Sequence, residues 1–119
     1  MFELGVGHIL ESHSGDSETL DFEGDVIPGT FADIETLSPL FFRLTMISLD
    51  DGMETIVENL KVKVEYEGKT HEIEIPRFER TFRTDRDPLA PDDVKFVNKK
   101  NMTIDLGEVL REEIIMATY

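Results

Sequence analysis

The sequence predicts an α+β fold in one domain that spans residues 1–119. We expect a mainly antiparallel, curved sheet or partial barrel of five to six strands, with a short N-terminal helical turn and a C-terminal amphipathic helix. The length of 119 residues suits a single hydrophobic core. Central segments alternate apolar and polar residues between turn formers, and the last segment repeats apolar residues at helical spacing behind a capping signal.

The first third of the chain predicts short elements. In residues 2–10 the apolar spacing changes from alternate to helical, which predicts a short strand or extended segment and then one or two helical turns, ending before the polar residues 12–16. Residues 20–26 alternate apolar with acidic side chains and predict a second strand with one face in water. The tripeptide Ile27-Pro28-Gly29 predicts a turn.

The middle of the chain predicts a long hairpin. Residues 40–49 are rich in strand formers and end at Asp50-Asp51-Gly52, a turn signal, so residues 53–67 form the return arm. From position 60 onward the apolar residues of this arm alternate with charged ones. Because Val57 breaks that alternation, we predict a β-bulge near Asn59.

A second hairpin follows at the next glycine. A two-residue loop at Gly68-Lys69 would place Tyr66 opposite His71 and Lys63 opposite Glu74. This register pairs apolar residues on one face and opposite charges on the other, so it satisfies core and surface together.

The remaining residues predict a strand, a loop and the closing elements. Pro76 lacks an amide donor and predicts a strand edge or a kink, after which residues 77–82 continue in extended spacing. Residues 86–93 form a loop with two prolines, and residues 94–102 provide one more short strand.

The side chains near the end of the sequence predict a helix, through a capping residue and an apolar stripe. Asp105 can accept a hydrogen bond from the first-turn amides, and Glu108 can reach back to the backbone of Asp105, as in a capping box. The residues predicted to form the buried stripe are Leu106, Val109, Leu110, Ile114 and Ala117.

The composition is strongly acidic. The chain has 26 acidic and 12 basic residues, hence a formal net charge of −14, and residues 1–42 contain no Lys or Arg. Such a surface repels phosphate backbones and attracts basic proteins; the other interpretation is that the charge is only a solubility device. Zero cysteines exclude disulfides, thiolate zinc sites and a cysteine nucleophile. The N-terminus lacks the pattern of an export signal and no apolar run could cross a membrane, so we expect a cytoplasmic protein.

Catalytic and metal-binding patterns are weak. The three histidines, His8, His13 and His71, lack the spacing of metal ligands, and the acidic residues 85–93 lack the glycine and the closing glutamate of a calcium loop. No glycine-rich phosphate loop or nucleophile elbow occurs. We therefore expect no cofactor and no enzymatic activity. A metal-dependent hydrolase or nuclease would need several carboxylates to converge in one pocket, and we rank it last.

One segment departs from the acidity, because residues 77–86 contain four of the six arginines. Arginines beside aromatics are typical of RNA contact, through phosphate binding and base stacking. The other interpretation is that the arginines pair with neighbouring carboxylates and the phenylalanines belong to the core. The candidate residues for contact with RNA or a partner are Arg77, Phe78, Arg80, Phe82 and Arg83.

The order of several motifs resembles one known family. The motifs are Phe2-Glu3-Leu4, Ile9-Leu10, Gly15, Leu20-Asp21-Phe22-Glu23-Gly24, the central hairpins and Ile104-Asp105-Leu106-Gly107-Glu108-Val109-Leu110-Arg111-Glu112. In these the chain resembles the YceD-like family, the large-ribosomal-RNA-subunit accumulation proteins of bacteria and plastids. The resemblance implies a role in making or maintaining the large ribosomal subunit, with no catalytic residue to carry over.

The sequence also departs from that family. Many relatives carry a Cys-x-x-Cys pair around the turn that here reads Glu67-Gly68-Lys69-Thr70, and a proline- and cysteine-bearing tail beyond the helix, whereas this sequence ends at Tyr119. We therefore do not transfer a zinc site. We expect a non-catalytic ribosome-biogenesis factor that supports accumulation of large-subunit ribosomal RNA through a basic ribosomal or RNA-processing protein. The alternative is a direct RNA-binding module that uses the strand over residues 77–86.

Overall fold

The computed structural model describes residues 3–85 and 94–119, and it confirms the α+β class. The loop predicted over residues 86–93 lies outside the described residues. The elements are β1 (Glu3–Gly5), α1 (Gly7–Leu10), β2 (Ser17–Gly24), β3 (Glu35–Thr36), β4 (Leu40–Leu49), β5 (Gly52–Tyr66), β6 (Lys69–Arg83), β7 (Lys95–Phe96), β8 (Thr103–Asp105) and α2 (Leu106–Ala117).

Six strands form one open sheet in the order β2-β4-β5-β6-β7, and β3 pairs with β5 beside this path. Its pairs are antiparallel except β6 with β7, so the sheet is mixed, and it does not close into a barrel. The short strand predicted within residues 94–102 is confirmed only at residues 95–96, and its continuation to Met102 is wrong. Residues 95–96 form β7, a turn with Met102 at φ 53° follows, and the separate strand β8 pairs with β1.

The predicted bulge lies at Asn59, which has φ 55°. Arg43 is opposite Glu58, but Phe41 is opposite Lys61, so β5 holds one residue more than β4 between these pairs. The extra residue changes which side chains point inward: odd-numbered residues of β5 are buried before the bulge and even-numbered ones after it. The bulge prediction is confirmed, and it explains why the apolar alternation breaks there.

Strand β6 changes face at the same level. Its pairing with β5 runs from Glu58 opposite Arg77 to Leu60 opposite Ile75, which places Pro76 beside the bulge. Two consecutive exposed residues, Pro76 and Arg77, mark the change. The proline therefore occupies a kink, and no strand lies on its other side among the described residues.

The register predicted for the second hairpin is wrong by two residues. The loop is Glu67-Gly68, so Tyr66 lies opposite Lys69 and His71 lies opposite Val64. Both loop residues have positive φ, 52° and 74°, which a type I′ turn requires and which the glycine at its second position favours. A shift of two residues keeps every side chain on its predicted face, and Lys63 now faces Glu72.

The core lies on one face of the sheet. The two helices, the β1–β8 pair and residues 31–34 form the covering layer. Buried residues of the sheet include Leu40, Phe42, Leu44, Met46, Met53, Val57, Leu60 and Phe82. Those of the covering layer include Val6, Ile9, Phe31, Ile34, Ile104, Leu106, Val109, Leu110 and Ile114.

Helix α2 begins as predicted. The carboxylate of Asp105 accepts a hydrogen bond from the Glu108 amide at 3.1 Å. The carboxylate of Glu108 contacts Lys95, at 3.2 Å, instead of completing a capping box. The predicted apolar stripe is buried except for Ala117, which is exposed, and Gly107 is buried in addition.

Candidate functional site

The arginine-rich part of β6 brings the five candidate contact residues together, on two opposite faces. Phe78 and Phe82 point inward and are only 9% and 1% exposed. Their rings are part of the hydrophobic core, which leaves no open ring face for base stacking in this conformation.

Arg80 lies between these two rings and also points inward. Its guanidinium pairs with the carboxylate of Glu113 on α2, and each side chain is 15% exposed. The guanidinium carbon lies 5.7 Å from the centre of the Phe78 ring, a cation–π distance, and Nη1 donates to the Glu79 carbonyl oxygen at 2.8 Å. The ion pair of Arg80 with Glu113 therefore links α2 to β6 of the sheet.

The other two arginines of this strand lie on the outer face. Arg77 is 2.5 Å from a Glu79 carboxylate oxygen, and Arg83 Nη1 is 2.9 Å from Asp51 Oδ2. Their side chains are 55% and 41% exposed. Because every arginine in the described part of this strand has a carboxylate partner, the strand is not a patch of positive potential.

Lys95 and Lys99, two lysines that follow β6, are paired in the same way. Lys95 lies between Glu108 and Glu112 of α2, at 3.2 and 2.8 Å, and Lys99 pairs with Asp85. Burial lowers the pKa of Lys95, but hydrogen bonds to Glu112 and Glu108 raise it, and the net pKa is above its ordinary value. Lys95 is charged and neutralised locally.

One carboxylate pair on the outer face is repulsive. Glu54 of β5 lies near Glu79 of β6, and its pKa is raised by burial, by the hydrogen bond with Glu79 and by the negative charge of Glu79. Arg77 opposes this rise. The pair places two carboxylates together beside Arg77, which also contacts Glu79.

A second surface, missed as a candidate from sequence, is the edge strand β2. Within residues 16–25 lie five carboxylates and no basic residue: Asp16, Glu18, Asp21, Glu23 and Asp25. Three of them have described partners, of which the Asp16 carboxylate accepts a hydrogen bond from the His13 amide at 3.2 Å. His8 Nε2 is 2.5 Å from Glu18, and Arg43 binds Asp21 at 2.8 Å and lowers the pKa of Asp21 by that hydrogen bond.

Beside the sheet lies an open groove of about 540 Å³, lined by residues 26–36 together with Glu65, Glu67 and Gly68. Asp33 lines this groove and binds Arg111 of α2 through two hydrogen bonds of 2.8 Å, which tie residues 31–34 to the helix and lower the pKa of Asp33. The lining includes the carboxylates of Asp33, Glu35, Glu65 and Glu67, whose negative charge suits cationic groups.

Two further properties bear on the class of protein. Within residues 3–85 and 94–119, no three His, Asp or Glu side chains are grouped so that they could hold a metal ion. Over the same ranges, no helix has the length and the apolar character needed to cross a membrane.

Comparison with protein-family models, curated proteins and solved structures finds no match to this chain.

The signal that could have found the β2 surface is the run of acidic residues without a basic neighbour. Sequence reasoning assigned a strand with one wet face to this region, but β2 is exposed along most of its length, and even Leu20 is 37% exposed. Only the strand order shows that β2 is an edge.

Proposed function

We propose that this protein is a non-catalytic ribosome-biogenesis factor of the cytoplasm. It supports accumulation of large-subunit ribosomal RNA by binding a basic ribosomal or RNA-processing protein. The setting rests on the YceD-like resemblance, above all on Ile104-Asp105-Leu106 and Leu110-Arg111-Glu112. The mode of action rests on the distribution of charge over the folded chain.

The observation that carries the proposal is the internal pairing of arginines. Arg77, Arg80 and Arg83 each contact a carboxylate of the same chain. Protein–RNA affinity depends largely on cations that neutralise phosphates, and here those cations are already neutralised within an excess of negative charge. A cationic protein, by contrast, would meet complementary carboxylates on β2 and in the groove.

The experiment uses the tagged full chain and the purified proteins of the large subunit, freed of RNA. We expect selective capture of one or a few basic proteins, weakening as salt rises, and a deficit of large subunits on gradients from cells that lack the gene. The charge test is the double variant Glu23→Gln/Asp25→Asn, and its matched control is Glu72→Gln/Glu74→Gln, which removes the same charge from β6. No capture together with normal subunit profiles would contradict the proposal.

A specific observation keeps the alternative, direct RNA binding, open to test. The ion pairs of Arg77 and Arg83 are exposed, and exposed pairs are worth only about 0–1 kcal/mol, so a phosphate could compete for these arginines. Gel shifts with protein-free ribosomal RNA at two salt concentrations decide between the two functions. If RNA binds, Arg77→Gln/Arg83→Gln should weaken RNA binding and reduce its salt dependence. The control is Arg43→Gln, which removes an arginine of β4 that pairs with Asp21 and should reduce RNA affinity less.

A further inference from the structure

We infer that β2 is a docking edge, on which an extended basic segment of the partner protein adds as a further strand of the sheet. This inference rests on the proposed function, because it names the surface and the kind of segment through which a basic partner would bind. It is carried by the position of β2 in the described sheet, the direction of its backbone groups, its charge and the partial exposure of Leu20.

The first argument is position. Strand β2 pairs with β4 along all eight of its residues and is the terminal strand of the sheet in the described chain. The backbone on its other side can accept another strand, the mode of recognition known as β-augmentation. A long edge of this kind is normally protected, unless it is used.

The second argument is the direction of the backbone groups. The Ser48 amide donates to the Asp16 carbonyl oxygen at 2.8 Å, and hydrogen-bonded pairs alternate along an antiparallel ladder. Even-numbered residues of β2 therefore bond to β4, and odd-numbered residues direct their N–H and C=O groups toward the open edge. The 3.1 Å approach of the Thr19 and Thr45 hydroxyls agrees, since side chains are closer in the pairs without such bonds.

The third argument is the contrast with the other long edge. Strand β6 is open along residues 69–81 in the described structure, but Pro76 interrupts its donors and its charges are mixed. Strand β2 contains no proline, and its charged residues are all acidic. Of the two edges, β2 alone is continuous and of one sign.

The fourth argument selects the occupant. A second copy of the chain would bring β2 carboxylates against β2 carboxylates, which is repulsive, whereas a basic strand would meet them with opposite charge. Leu20 shares the inner face with the buried Leu44 opposite it, yet it is 37% exposed. The complementary segment therefore alternates basic residues, facing Asp21 and Glu23, with apolar residues that cover Leu20.

The test uses the isotope-labelled full chain and an acetylated, amidated octapeptide of alternating Lys and Val. We expect the peptide to shift the amide resonances of residues 17–24 and to give inter-strand contacts with them. The same peptide N-methylated at every residue keeps its charge but loses its backbone donors, and it should bind at least tenfold more weakly. Resonance shifts centred elsewhere, equal binding of the N-methylated peptide, or no binding at millimolar concentration would each overturn the inference.

Variants of the chain provide the second arm. Thr19→Pro removes an amide that points to the open edge while leaving the bonds to β4, so it should weaken peptide binding at least tenfold, and Thr19→Ala should not. Glu23→Gln/Asp25→Asn should weaken binding about threefold relative to Glu72→Gln/Glu74→Gln. If sedimentation shows a dimer that Thr19→Pro abolishes, the edge serves a second copy and the basic-segment proposal is wrong.

Failure of this inference is distinguishable from failure of the proposed function. If wild type and Thr19→Pro capture the same large-subunit proteins equally, the docking edge is wrong and the proposed function stands. If neither captures any while the octapeptide still pairs with β2, the edge stands and the ribosomal partner is wrong.

Discussion

Gly52 begins β5 directly against the backbone of β6, and no side chain fits between the two strands. A Cβ atom at this position would lie 2.0 Å from the Phe82 carbonyl oxygen and 2.9 Å from the Arg83 Cα, with φ at +158°. The sequence indicated Gly52 as part of a turn. In the folded protein, glycine is required at this position because the backbone of β6 lies so close.

We predict that Gly52→Ala lowers the free energy of unfolding by about 1–3 kcal/mol, the usual scale of overpacking, because only the backbone of β6 could yield. Urea denaturation measures the change. Gly5→Ala is the control, since a Cβ at Gly5 meets nothing within 4 Å. Equal stability of the two variants would show that β5 and β6 are further apart than described.

Glu54 offers a pH-dependent prediction at the same scale. Its pKa is raised from 4.5 in the folded protein, first by burial and then by Glu79, so its stabilising contribution is present below pH 4.5 and is lost as pH rises through the folded pKa. At pH 7 the ionised carboxylate of Glu54 destabilises the folded state relative to the unfolded state.

Glu54→Gln should therefore stabilise the protein at pH 7 by up to about 0.5 kcal/mol, the scale of surface substitutions, with the gain disappearing below pH 4.5. Thermal melts at both pH values test this. Glu74→Gln, which removes a carboxylate opposite Lys61, should not stabilise the protein at pH 7. A gain for Glu54→Gln that is the same at both pH values would contradict the argument.

At the scale of elements, β5 and β6 change together at Asn59 and Pro76. In each strand, the buried residues change between odd and even numbers at this point. The bulge lets the straight strand β4 keep its even-numbered residues buried while its neighbour changes parity. Without the extra residue, one half of β5 would direct its apolar residues to water.

The left-handed backbone of Asn59, φ 55°, gives a prediction about this element. Asn tolerates that region better than other non-glycine residues, so Asn59→Ala should lower the free energy of unfolding by about 1 kcal/mol. Asn59→Gly should leave it unchanged or slightly raised. If alanine and glycine have the same effect, the side chain of Asn59 rather than its backbone geometry supports the bulge.

At the scale of the whole molecule, acidic residues outnumber the basic residues that could pair with them. The exposed ion pairs, such as Arg43 with Asp21, each contribute little, whereas a net charge of −14 on one small domain repels itself over the entire surface. The same excess that would attract a basic partner therefore destabilises the isolated chain.

We predict that added NaCl raises the melting temperature, because screening weakens the long-range repulsion more than it weakens the short ion pairs. The midpoint should rise steadily between roughly 20 and 500 mM salt, over which the screening length falls several-fold. The less charged Glu23→Gln/Asp25→Asn variant should show a smaller rise. A midpoint that falls with salt would mean that local ion pairs outweigh the repulsion.

Local patterns predicted much of this fold. Strand β4, the bulge at Asn59, the turn at Ile27-Pro28-Gly29 and the cap at Asp105 all follow from short-range chemistry, and the structure confirms them. The hairpin register was wrong by two residues, because a shift of two preserves both faces and only the positive φ of Glu67 distinguishes the alternatives.

The candidate site was less predictable from sequence. Alternation placed Phe78, Arg80 and Phe82 on one face, but whether that face met solvent or core depended on α2, whose Glu113 pairs with Arg80 across 33 positions. Likewise, the acidic run of residues 16–25 is plain in the sequence, but its place at a sheet edge is not.

The sequence by itself determined the fold class, the face of each long strand and the sign of the surface, because periodicity, turn chemistry and composition act over a few residues or over the whole chain. Only the tertiary structure decided that Arg77, Arg80 and Arg83 are paired, that Phe78 and Phe82 are buried and that β2 is a terminal strand of the described sheet. Those outcomes depend on which distant elements become neighbours, and long-range packing, not local preference, selects them.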